Sequence, residues 1–212
     1  GRFAGGACLG SPQCFCGMGD ATAIGDYPTA MDNYDLVPSG LIKLIKQGFN
    51  EGVDHAGVDI GQPTSFFAGC ALNLNPEDPK QEIRNLRRKL RAGADFILTQ
   101  PVYYQPAVHA FLGQVREELG DEMRPILAGI LPLASGRHAA FLHQEVPGIL
   151  IPDELRRRTD QAGDAGASEG IKIAIELIQA LRDDFNGIYL MPAFNRFDYA
   201  AEIIETVKRE IE

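Results

Sequence analysis

DPKQEIRNLRRKLRAGADFILTQP, residues 78–101, runs from a helix start through a helix stop and into a strand. Asp78 suits the N-cap, and Pro79 suits the first helical position, where its missing N–H would have had no intrahelical partner. Ile83, Leu86 and Leu90 recur at helical spacing and make one apolar stripe, until Gly93 stops the helix. DFILT, 95–99, is then an apolar run of strand length. A helix feeding a buried strand is part of a βα repeat, so the stretch predicts a parallel α/β sheet.

The same alternation extends in both directions. Upstream, CFCGM (14–18) and FFAGCAL (66–72) read as strands, and Leu41, Ile42, Leu44, Ile45 and Phe49 fall on one face of a helix between them. Downstream, Pro106 opens a helix whose buried stripe is Val108, Phe111, Leu112, Val115 and Leu119. PILAGIL (125–131) is the next strand, followed by helices over 135–144, 152–161 and 168–182. A fifth strand spans 187–191, and a closing helix carries Tyr199, Ile203, Ile204 and Val207 along one face. AGDAGASEG (162–170) reads as a flexible loop-like insertion and GRFAGGACLGSP (1–12) as an irregular N-terminal segment, leaving 13–212 as one domain. Five βα units without hairpin signals fit an α/β protein of the (β/α)8 TIM-barrel type, with about five of the eight units present. A whole barrel takes about 250 residues. An open sheet would leave a bare parallel edge at the Cys14 strand, so a homo-oligomer or a partner chain completing the barrel is expected.

With 212 residues, 45% of them hydrophobic and 23% charged, the chain can bury one sizeable core. A net charge of −9 repels nucleic acid and anionic membranes, so neither is an expected partner and a small molecule is. No apolar run approaches the roughly 20 residues that span a bilayer. No charged-then-apolar leader pattern is visible, and a cytoplasmic setting is expected. Cys8, Cys14, Cys16 and Cys70 are too few and too uneven for a disulfide framework and are expected as free thiols, Cys14 and Cys16 on one face of a strand. His55, His109, His138 and His143 have no ligand spacing, and no metal is expected.

In parallel βα proteins the chemistry sits just beyond the C-terminal ends of the strands. Those positions here are Gly19 and Asp20, then Thr99, Gln100 and Pro101, then Pro132, then Met191 and Pro192. An anion that only accepts and an amide that both donates and accepts suit a heterocycle with both kinds of edge. Read without further context, the same residues also fit a turn cap at Asp20 and a solvated Gln100. GDATAIGDYP (19–28) contains neither a dinucleotide fingerprint nor a P-loop. Arg84, Arg87, Arg88 and Lys89 form a charged helix face paired with Glu82 and its neighbours, from which one cation could reach a cofactor phosphate.

Together, MGDATAIGDYP, IGQPTSFFAGCALN, LRRKLRAGADFILTQPVYY, ILAGILPL, EVPGILIP and GIYLMPAFNRFDYAAEII resemble the methylenetetrahydrofolate reductase family, from about Met18 to Glu205. The resemblance is to the short bacterial branch that also occurs fused to homocysteine methyltransferase. AGADFILTQP and ILAGILPL are specific in combination. The first motif departs from the usual Thr-Gly-Asp-Pro or Arg-Gly-Asp, being Met18-Gly19-Asp20-Ala21 with the Asp kept.

The resemblance implies a barrel that binds FAD, takes hydride from NADH or NADPH, and reduces 5,10-methylenetetrahydrofolate to 5-methyltetrahydrofolate for methionine synthesis. By position it implies Asp20 as the catalytic carboxylate beside the flavin, next to Gly19. Ala71, Asn75, Glu82, Asn85 and Lys89 match cofactor-binding positions, with Lys89 on phosphate or ribitol. Gln100, His138 and Arg196 match substrate-side positions, His138 standing where some members have Gln. The family's proton donor is a Glu on the first barrel strand; the first Glu here is Glu51, so that strand is expected to be missing from this chain. Two other readings stay open: a non-catalytic flavin or folate binding module needing a partner, and an unrelated TIM-barrel pterin-binding transferase.

Overall fold

A computed structural model of the chain describes residues 4–8, 11–18 and 35–211. The elements are β1 (Ala4–Cys8), β2 (Ser11–Cys16), α1 (Pro38–Gln47), β3 (Phe67–Leu72), α2 (Pro79–Arg91), β4 (Phe96–Pro101) and α3 (Gln105–Leu119). They continue with β5 (Ile126–Ile130), α4 (Gly136–Glu145), α5 (Asp153–Gln161), α6 (Gly166–Ala180), β6 (Gly187–Leu190) and α7 (Phe197–Ile211). The strands are ordered along the sheet as they are in the chain, β1-β2-β3-β4-β5-β6. β2 runs parallel to β3 and β5 parallel to β6, the α/β fold that the alternation predicts, consistent with part of a (β/α)8 barrel.

One correction falls at the N-terminus. The segment 1–12, expected to be irregular, contains β1, which pairs antiparallel with β2, Ala4 opposite Phe15 and Cys8 opposite Ser11. Gly and Ala have weak strand preference, so no side-chain pattern announces this strand, and the backbone ladder with β2 makes it one. β1 also covers the β2 edge that the sequence suggested would be bare.

By contacts the chain forms two compact units. The first comprises residues up to Ala71 with Lys80–Ile97 and Leu119–Arg124. Its core holds Cys14, Cys16 and Cys70 as free buried thiols, together with Ile42 and Ile45 of α1. Ile83, Leu86 and Leu90 of α2 are buried as the spacing predicts. Burial disfavours the thiolate, pushing Cys16 up to about 12 and Cys70 to about 11, so these thiols are protonated packing groups. α2 has Glu82 in its first turn and Arg88, Lys89 and Arg91 in its last, the arrangement that the helix dipole favours.

Asp95, which reads as a strand residue, is a brace. Its carboxylate takes Lys46 Nζ at 2.8 and 3.0 Å and the Ala68 amide at 2.7 Å, while its own amide donates to the Ala68 carbonyl. Asp95→Ala removes three charge-assisted hydrogen bonds from a partly buried site and is expected to cost about 3 kcal/mol in urea unfolding. A loss under about 0.5 kcal/mol, typical of an exposed pair, would show that the brace does nothing.

The second unit comprises Leu72–Pro79, Leu98–Glu118 and residues from Pro125 onward. The α3 stripe is buried here as predicted, at Val108, Phe111, Leu112 and Val115; Leu119, the last residue of α3 and part of the first unit, is buried too. A cluster of Tyr103, Leu133, Ala139, Leu142, Ile149, Ile151 and Ile173 forms the centre, and Tyr103 donates its hydroxyl to the Leu131 carbonyl at 2.7 Å. The loop-like insertion expected over 162–170 is instead a short 3-10 turn, Gly163–Ala165, and the start of α6. Gly166 and Gly170 are buried there, serving close packing. On α7, Ile203 is buried but Ile204 is 43% exposed, because it lies about 100° around the helix from the Tyr199, Ile203, Val207 line.

Candidate functional site

Gly19 and Asp20 lie outside the described residues. The remaining expected site residues form groups within each unit. In the first, Ala71 stands near the end of β3 and Glu82, Asn85 and Lys89 on α2. Lys89 Nζ donates to the Ala71 carbonyl at 2.5 Å and lies 3.9 Å from Glu82, with only 12% and 16% of the two side chains exposed. Residues seven apart on a helix share a side, so Glu82 and Lys89 meet over the strand end. An ammonium has three donors, and the Ala71 carbonyl occupies one of them. Asn85 belongs to the neighbouring face, its Oδ1 accepting from Gln81 Nε2 at 2.9 Å and from the Arg88 guanidinium. Arg87 and Arg91 pair with Glu122, so most of the arginine face is a structural surface, as its sequence suggested.

In the second unit Gln100 is the last residue but one of β4 and meets Gly148. Gln100 Oε1 is buried and accepts no hydrogen bond. Most buried polar atoms are paired, so an amide oxygen left without a partner at a strand end stands out. Gly148 makes room for it: its φ is +80°, and a Cβ there would lie 2.5 Å from Gln100 Oε1. Asn75 closes the same group, donating from Nδ2 to the Gly148 carbonyl at 3.4 Å. Thr99 steadies the strand end, its hydroxyl accepting from the Gly129 amide at 3.0 Å and donating to the Gln100 carbonyl at 2.8 Å. Gly148→Ala is expected to cost about 1 kcal/mol through its positive φ and to push the Gln100 amide aside. Thermal unfolding measures the first effect and ligand titration the second.

His138 sits in the first turn of α4, where its amide donates to the Ser135 cap hydroxyl at 3.1 Å. Its Nδ1 accepts from the Ala134 amide at 3.1 Å, which leaves the proton of the neutral ring on Nε2. The ring meets Phe194 edge-on, 5.1 Å between centroids. Burial lowers the pKa of His138 below its ordinary 6.5. The unfolded chain therefore takes up the proton more readily, and the stability contributed above about pH 6.5 drains away as the pH falls through the lower folded value. His138→Gln is expected to flatten this acid limb of the stability profile; an unchanged limb between pH 7 and 5 would refute the assignment.

Arg196 follows β6, with Nε 2.9 Å and Nη2 2.6 Å from the Asp198 carboxylate and its guanidinium stacked over Tyr199 at 3.8 Å. Between β6 and Arg196 lie two residues that the sequence does not single out. Phe194 and Asn195 both have positive φ, 54° and 58°. Asn tolerates that region, but a Phe there costs on the order of 1–3 kcal/mol, and no local sequence signal announces it. Gly148 was also missed, although Pro147-Gly148 is a turn signal.

The family model for methylenetetrahydrofolate reductase matches residues 18–208. Methylenetetrahydrofolate reductase 2 of Saccharomyces cerevisiae is 32% identical over 169 residues, 75% of this chain and 26% of that protein. Methylenetetrahydrofolate reductase 2 of Schizosaccharomyces pombe is 29% identical over 116 residues, 52% of this chain and 18% of that protein. The chain thus spans about a quarter or less of the length of these curated relatives. A solved structure, described as an uncharacterized protein from Clostridium thermocellum that binds two copies of 5-methyl-5,6,7,8-tetrahydrofolic acid, superposes with a TM-score of 0.54 at 18% identity. That match covers 68% of this chain and 53% of the other, and it speaks for the fold.

Proposed function

The chain belongs to the methylenetetrahydrofolate reductase family, and from that premise we propose that it serves a flavin-dependent reduction of 5,10-methylenetetrahydrofolate to 5-methyltetrahydrofolate, with NADH or NADPH as hydride donor. The product feeds methionine synthesis. The observation that carries this reading is Gln100, a buried amide oxygen without a donor, seated against a glycine at a strand end. Such a group suits the donor edge of a pterin.

Bound FAD supplies a two-electron carrier between nicotinamide and folate. Within the first unit, Lys89, Glu82, Asn85 and Ala71 are the residues that would hold it, the remaining donors of Lys89 suiting phosphate or ribitol oxygens; Asn75, of the second unit, is matched to the same cofactor by the resemblance alone. Gly19 and Asp20 belong to the same site in this reading, the Asp20 carboxylate favouring a cationic folate by its charge. Gln100, His138 and Arg196 orient the folate, His138 through its Nε2 proton. Opening the methylene bridge requires a proton near N10, and no described residue is matched to that role. Among the described residues no helix is long and apolar enough to cross a membrane.

Titration with FAD and with 5-methyltetrahydrofolate, followed by flavin absorbance and pterin fluorescence, tests the reading. A yellow complex that also binds the folate is expected. Binding without reductase turnover would describe a non-catalytic flavin or folate module, folate binding without flavin would favour a pterin-binding transferase, and binding of neither ligand would remove the proposal.

A further inference from the structure

We propose that Phe194 is a substrate-binding residue whose ring, braced by the edge of His138, forms an aromatic platform for a flat ring of the folate. This rests on the folate reading above and names a contact that the sequence comparison does not.

Three observations converge on it. Phe194 is 72% exposed, the highest value among the exposed large apolar side chains described. Water disfavours such a ring, so exposure brings no folding advantage. Its backbone is left-handed, φ 54° and ψ 32°, a region that L side chains avoid and that glycine would occupy without strain. Local physics thus works against an aromatic side chain here twice over, and strain of this kind clusters at ligand sites.

The ring is nonetheless held in a defined setting. His138 meets it at 62° between ring planes, and His138 is itself fixed by the Ala134 amide at Nδ1 and by the Ser135 cap. Both side chains come from segments that follow C-terminal ends of parallel strands, β6 and β5, where such folds bind their ligands. An edge-on neighbour leaves a π-face of Phe194 available for an offset-stacked ring. Folate carries two flat rings, the pterin and the p-aminobenzoyl group, and either presents the same chemistry to a phenyl face.

Equilibrium titration of wild type, Phe194→Gly and Phe194→Trp with 5-methyltetrahydrofolate tests the platform, with the thermal midpoint of each protein measured in parallel. Phe194→Gly is expected to weaken binding by about tenfold while its midpoint stays level or rises, since glycine suits the backbone. Phe194→Trp is expected to keep wild-type affinity. A loss shared by p-aminobenzoylglutamate puts the aryl ring on the platform, and a loss confined to 5-methyltetrahydrofolate puts the pterin there; each supports the proposal. Phe194→Gly binding as tightly as wild type overturns the platform and leaves the folate reading standing. Wild type that binds no folate overturns both.

Discussion

Gly170→Ala is expected to destabilise the protein by about 4 kcal/mol, lowering the thermal midpoint by about 10 °C for a chain of this size. α6 crosses the segment after β5 so closely that a Cβ at Gly170 would lie 1.7 Å from the Leu133 carbonyl oxygen and 2.7 Å from its carbon. Both are backbone atoms and cannot rotate away as a side-chain tip can. Relief requires α6 to move off, which separates Ile173 from Leu133 and opens the cluster they share with Tyr103 and Leu142. Gly113→Ala is the matched control. Gly113 lies on the exposed face of α3, where an added Cβ meets nothing within 4 Å, so alanine there is expected to stabilise by about 0.5–1 kcal/mol through helix preference alone. Thermal unfolding of the two variants side by side measures the difference; equal midpoints would mean that α6 is not seated as described.

Gln100→Leu is expected to move stability and binding in opposite directions. It replaces a buried, unpaired acceptor with an apolar group of similar size, so unfolding free energy is expected to rise by about 1 kcal/mol. Folate affinity is expected to fall roughly 100-fold, because a site built around a polar contact discriminates strongly when that contact is lost. Gln100→Glu separates charge from shape: it keeps the acceptor and loses the amide donors, so it indicates which edge of the amide the ligand uses. A Gln100→Leu protein that binds 5-methyltetrahydrofolate like wild type would leave Gln100 as a packing residue. Gains in stability that coincide with lost binding are the pattern expected of a group kept for function.

Most of the α/β alternation was legible in the residues. The burial of Ile83, Leu86 and Leu90, and of the five apolar residues on α3, follows from period and side-chain type, which act over one or two helical turns. The closing helix shows the limit of that reading. Ile204 is as apolar as Ile203, and only the packing of α7 decides which of them is covered. Candidate site positions were legible to the extent that strand ends could be located, as at Gln100. The left-handed backbone of Phe194 was not, because no residue type reports it at a phenylalanine.

The sequence by itself determined the order of the elements from α1 to α7, the apolar faces of α2 and α3, and the strand end next to which Gln100 lies. These depend on propensity and period, which are properties of neighbouring residues. Tertiary structure alone decided that β1 is a strand, that Gly166 and Gly170 belong to a packed helix, and that Gly148 clears the space for the Gln100 amide. In each case the deciding partner is distant in the chain or belongs to another element: the β2 ladder for β1, Leu133 for Gly170, and Gln100 for Gly148. A glycine reads locally as freedom to turn; its meaning as clearance exists only once the chain has brought a second backbone or side chain against it.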